Sequence, residues 1–123
     1  MKGNTDYAQN RFFGFYDRPK IVCLCGSTRF SKEFREANLR ETLAGNIVLT
    51  IGCDMRSDAE LFAGKEESEL KAIKDGLVLL HFSKIELADE VLILNVGGYI
   101  GESTRNELKV AQAHGKVIRY LES

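Results

Sequence analysis

The stretch KIVCLCGSTRF, residues 20–30, decides the fold. Lys20–Cys25 is a continuous apolar run with β-branched members and no polar alternation. That is the pattern of a strand covered on both faces. Gly26-Ser27-Thr28-Arg29-Phe30 breaks the run as a turn. Ser31–Ala44 then has helix-forming composition and closes at the stop signal Gly45-Asn46.

The same rhythm continues outward. Ile47–Ile51 reads as a second strand and Gly52–Lys65 as a loop with room for a short helical turn. Glu66–Ala88 has helical spacing through Leu70, Ile73, Leu77, Leu80 and Ile85, as one bent helix or two. Val91–Leu94 is a third strand, Thr104–His114 a helix closed by Gly115-Lys116, and Val117–Leu121 a last strand. Strands alternating with helices predict a parallel sheet with right-handed crossovers, covered on both sides. The expected architecture is α/β: a single flavodoxin- or Rossmann-like three-layer domain with a parallel sheet of four to five strands, over residues 20–123. Residues 1–19, polar and aromatic by turns, read as an N-terminal arm. Its Phe12, Phe13, Phe15 and Tyr16 are placed to dock on the domain or on a second subunit.

A chain of 123 residues supports one domain with a real core. Its formal net charge of -1 gives no electrostatic reason to expect a nucleic-acid polymer or an acidic membrane surface as partner. No apolar run is long enough to span a bilayer and no secretory leader is visible, so the expected location is cytoplasmic. Cys23, Cys25 and Cys53 read as reduced thiols, the first two buried in a strand. They suggest neither a disulfide framework nor a metal site. His81 and His114 have no ligands clustered around them in sequence, so neither metal nor cofactor is expected. The first helix carries Phe34, Ala37 and Ala44 on one side and Leu39 and Leu43 on the other. Such a helix either packs on a partner chain or leaves two leucines exposed.

Parallel α/β sheets bind ligands at the carboxyl ends of their strands. This rule sets two turns side by side: GSTRF after the first strand and NVGGYIGES after the third. In the first, Gly26 permits close backbone approach. The N–H groups of Ser27, Thr28 and Arg29 are placed to converge on an anion, unless the turn is simply capped by its own hydroxyl. Arg29 adds a planar fork suited to phosphate. In the second, Gly97, Gly98 and Gly101 let the main chain fold against a ligand, and Tyr99 is placed to stack on a base or a sugar. Ser103 and Thr104 are natural N-caps, and Thr104-Arg105-Asn106-Glu107 matches a capping box. On spacing alone that role for Glu107 competes with a catalytic one.

Three blocks of this chain resemble a known superfamily. CGSTR resembles the CGSIR turn of 2-deoxynucleoside 5-monophosphate N-hydrolases. NELKVAQAHGKVI resembles the ELGYAxxxGKxV segment of nucleoside 2-deoxyribosyltransferases, and KIELADEVLIL resembles the IxxADxVVA segment that precedes it in both. The blocks stand in the same order across residues 20–121. The resemblance implies that Glu107 is a nucleophile attacking the anomeric carbon of a nucleoside or nucleotide. The base departs, and water or a second base resolves the glycosyl ester. A carboxylate in the first turn of a helix would be kept ionised by backbone donors. Gly26, Ser27 and Arg29 match the monophosphate-binding turn, but Phe30-Ser31 replaces two glycines of the hydrolases. Gly101 stands where the families carry Asp or Ser, leaving Glu102 or Ser103 to supply that contact. The leaving-group acid falls on His81, whose imidazole would protonate a departing base. Lys84 is placed to contact phosphate or solvent, and Asp89 to serve a structural role. The resemblance further implies a homodimer or higher homo-oligomer, because members complete the pocket from a neighbouring subunit. The alternative is a nucleotide-binding or sensing module of the same fold that turns nothing over.

Overall fold

The structure, a computed structural model, describes residues 18–51 and 62–123. The arm's Phe12, Phe13, Phe15 and Tyr16, most of the loop after the second strand, and Cys53 lie outside the described residues. The elements run in the order β1 (Ile21–Cys25), α1 (Ser31–Leu43), β2 (Ile47–Leu49), α2 (Glu67–Leu87), β3 (Glu90–Ile93), α3 (Glu102–Ala113) and β4 (Val117–Tyr120). Short 3-10 turns at Thr28–Phe30 and Val96–Gly98 lead into α1 and towards α3.

All four strands are parallel, in the order β2-β1-β3-β4. β1 is central, which explains why KIVCLC lacks a polar face: Val22, Cys23, Leu24 and Cys25 are all fully buried. Alternate residues serve different layers. Val22 and Leu24 pack with Phe34 and Ala37 of α1 and with Leu92 and Leu94. Cys23 and Cys25 face the other way, with Val91, Ile93, Ile85, Ala88 and Ala111, beneath α2 and α3. Each large aliphatic side chain removed from water in these layers stabilises the fold by about 1.5–3 kcal/mol.

Several element boundaries differ from the sequence expectation. The β2 ladder ends at Leu49, two residues early, because it pairs only with Ile21 to Cys23 of β1. Residues 67–87 form one helix of 21 residues, roughly 31 Å long. Only its last turns, at His81 and Ile85, are buried. Leu77, Val78, Leu79 and Leu80 are about half exposed or more. On α1, Phe34 and Ala37 face the sheet as expected, whereas Ala44 is exposed, as are Leu39 and Leu43.

Polar contacts lock the sheet at its amino end. Asp89 accepts from both arms of the Arg18 guanidinium (2.6 and 3.0 Å) and from the Ile21 N–H (2.8 Å). This is the structural role expected of it. Arg119 of β4 donates to Glu41 of α1 (2.7 Å) and to Glu90 of β3 (2.9 Å). Burial pushes the Glu41 carboxyl up, but Arg119 and Asn46 outweigh it and hold the group below its ordinary range. Among the described residues, no helix is long and apolar enough to cross a membrane.

Candidate functional site

The strand order reverses between β1 and β3, so the chain leaves these neighbours in opposite directions, the place where parallel sheets generally bind ligands at their carboxyl ends. The two turns singled out in sequence start there. GSTRF begins with Gly26, directly after β1, and the glycine loop follows β3.

Tyr99 joins the two turns. Its ring centre lies 4.5 Å from the Arg29 guanidinium carbon and 6.0 Å from the Phe30 ring, edge-on. Arg29 Nη2 also donates weakly to the Tyr99 hydroxyl (3.4 Å). The first turn spends part of its donor set on itself: the Arg29 N–H donates to Ser27 Oγ and the Phe30 N–H to the Ser27 carbonyl. That is the hydroxyl-capped arrangement. Thr28 is exposed. Gly26 answers to packing: a Cβ there would stand 3.0 Å from Leu94 Cβ and 3.3 Å from its carbonyl oxygen. Gly97 and Gly98 adopt φ of 62° and 81°, where a side chain is strained. The Gly97 N–H donates to the Glu122 carboxylate, and Asn95 clasps the Glu122 backbone through both its amide groups.

Glu107 does not cap its helix. α3 begins at Glu102 with Gly101 as N-cap, so Ser103 and the buried Thr104 lie inside the first turn. Glu107 is thereby carried into the second turn and faces α2, away from the helix's free N–H groups. Glu102 and Ser103 are exposed.

The carboxylate enters a cluster of buried groups. Glu107 Oε2 lies 3.7 Å from His81 Nε2, with side-chain exposures of 14% and 6%. The same His81 nitrogen lies 3.4 Å from Cys25 Sγ and 3.8 Å from Cys23 Sγ. Among the described residues, His81 Nδ1 and Glu107 Oε1 are buried without a hydrogen-bond partner. Burial pushes the Glu107 carboxyl up to about 7, against the pull of His81 and of the neighbouring Cys25. The expectation that a helix terminus keeps it ionised is corrected: desolvation wins because the terminus lies a turn away. Burial pushes His81 down, but Cys23 and Glu107 outweigh it and hold the imidazole above its ordinary range. Cys23 is drawn down to about 6 by the hydrogen bond from Cys25, with His81 assisting against burial, while that bond and burial drive Cys25 well up.

Three further expectations change. His81 does have clustered potential ligands: its ring nitrogen and the sulfurs of Cys23 and Cys25 all lie within 4.8 Å of one another. The two cysteines are buried strand thiols as expected, yet they also touch the site. A Cys-X-Cys spacing puts both on one strand face, but the helix that would cover that face with a histidine cannot be read from the spacing. Lys84, expected to meet phosphate or solvent, donates to the Thr50 carbonyl at 2.6 Å and secures the chain after β2. A surface hollow on α2, lined by Glu66, Glu67, Leu70, Lys71 and Lys74, shares no residue with the cluster.

Compared with known proteins, the chain matches no protein-family model, and no curated protein matches it significantly.

Proposed function

We propose that this protein cleaves or exchanges the N-glycosidic bond of a nucleoside or nucleotide, (deoxy)ribose included, as a member of the nucleoside 2-deoxyribosyltransferase and nucleotide N-hydrolase superfamily that residues 20–121 resemble. The observation that carries the reading is the pairing of Glu107 with His81 at 3.7 Å, mostly buried at the covered face of β1. When the proton of this pair rests on His81, Glu107 is a carboxylate in a water-poor setting. An oxygen of Glu107 forms a bond to the anomeric carbon as the bond to the base nitrogen breaks. The electron pair leaves with the base, which takes its proton from His81. Water then attacks the glycosyl ester, gives its proton to His81 and releases Glu107; a second base in place of water gives exchange. Arg29 serves a 5-phosphate once it leaves Tyr99, and the Tyr99 ring serves a base or sugar face. No cofactor is needed for these steps.

A second reading is binding or sensing without turnover. It is favoured by the engagement of Arg29 with Tyr99 and by a Glu107 carboxyl held up to about 7. One experiment separates the two. Incubation with a panel of ribo- and deoxyribonucleosides and their monophosphates, followed by chromatography for free base, is expected to show release that Glu107→Ala abolishes. Saturable binding with no release supports the sensor, and neither binding nor release rejects both.

The proposal extends to a cytoplasmic homodimer, in keeping with reduced thiols and with the exposed Leu77 and Leu80 of α2. Light scattering at micromolar concentration is expected to give twice the chain mass; a monomer rejects it.

A further inference from the structure

We propose that Cys23, Cys25 and His81 form a three-ligand site for a soft divalent cation of the zinc class, its fourth position turned towards Glu107. The observation is the spacing of the donor atoms. A tetrahedral zinc ion bonded at about 2.3 Å to sulfur and about 2.0–2.1 Å to an imidazole nitrogen holds sulfur and nitrogen roughly 3.6 Å apart. His81 Nε2 stands 3.4 Å from one sulfur and 3.8 Å from the other. All three atoms lie within 4.8 Å of one another. Hydrogen bonding alone does not call for this arrangement: one ring nitrogen engages one thiol at a time, and here it is shared between two.

The fold supplies the constellation through two rigid elements. Residues two apart on β1 point to the same face, and the register of that central strand is fixed on both sides. α2 lays His81 across that face. Two thiolates and an imidazole are the soft donor set that selects zinc-like ions over magnesium or calcium. Charge also balances. Binding requires both thiols and His81 Nε2 to be free of their protons, which pass to solvent, and the two thiolates then neutralise the dication. Glu107 lies 3.7 Å from the shared nitrogen but falls outside the three-atom group, which leaves its carboxylate as the neighbour of the fourth position.

Metal binding does not depend on the glycosyl-transfer reading. Its consequence does: an ion on Nε2 takes the lone pair that carries the proton for the departing base, so zinc would switch that reaction off. The test uses the full, reduced chain, desalted without chelator and titrated anaerobically with Co2+. The expected result is one tetrahedral cobalt per chain, with a thiolate-to-cobalt charge-transfer band that Zn2+ abolishes. Cys23→Ser and Cys25→Ser are each expected to weaken the band, while Cys53→Ser and Glu107→Gln retain it. A wild-type chain without the band, or a band surviving Cys23→Ser with Cys25→Ser, overturns the site. Should those serine variants not fold, Cys53→Ser decides. The chain has three cysteines, so a full two-thiolate band in that variant requires Cys23 and Cys25, and its loss overturns the assignment. A cobalt band in a chain that releases no base leaves the metal site standing and removes the glycosidase.

Discussion

Arg119 sits on the edge strand β4, yet its Nη2 stands 2.7 Å from Oε1 of Glu41 on α1. The bond draws the edge strand to a helix otherwise packed on β1 and β2. Glu41 is 5% exposed, so its charge depends on this partner and on Asn46. Arg119→Ala is expected to destabilise the fold by about 1–3 kcal/mol in denaturant titration, mostly through the carboxylate left behind. Glu41→Gln in the same background should recover part of that loss, which a double-mutant cycle reads directly.

Gly26 opens the GSTRF turn, and its contact is with Leu94. Gly26→Ala should cost about 1–3 kcal/mol by overpacking, because a strand-end backbone and a Cβ cannot move aside cheaply. Ser27→Ala should cost about 0.5–1 kcal/mol, the loss of a hydroxyl cap. A Gly26→Ala variant that melts with the wild type would show that the glycine is not held by packing.

Gly76 lies within α2, where an added Cβ would meet nothing within 4 Å. Gly76→Ala should therefore stabilise the protein by about 0.5–1 kcal/mol, by restricting the unfolded chain and favouring helix. A lower Tm in the variant contradicts this.

Asp89 should give up its contribution only in strong acid. Arg18, followed by the Ile21 N–H, holds its carboxyl down to about 2 from an ordinary 3.8. A depressed acid stabilises the fold above its unfolded value and loses that contribution as pH falls through the folded one. Stability attributable to Asp89 is thus complete above about pH 4 and disappears towards pH 2. The pair is exposed, so screening limits it to about 1 kcal/mol or less. Asp89→Asn should flatten this part of the pH–stability profile, measured by urea unfolding at each pH.

The layer order was legible because local signals agreed: an uninterrupted apolar run at Val22–Cys25, a glycine turn, a helix stop at Gly45. Boundaries failed where tertiary contacts decide. Thr104 has the chemistry of an N-cap, yet it is buried, and Gly101 starts the helix instead. That single displacement changes Glu107 from a capping carboxylate into one facing His81. Cys23 and Cys25 were readable as buried strand residues. Their meeting with His81 was not, since it depends on how α2 crosses the sheet. Lys84 and Arg119 carry no local sign of the partners they take.

The placing of β1 bears on how the chain is made. Its inner neighbour β3 is synthesised only after α1, β2 and α2 have emerged. Until then the most apolar segment has one open hydrogen-bonding edge and pairs only with the three residues of β2. Nascent chains halted before Glu90 therefore expose a sticky strand. The arrival of Glu90–Ile93 supplies the partner that closes this edge.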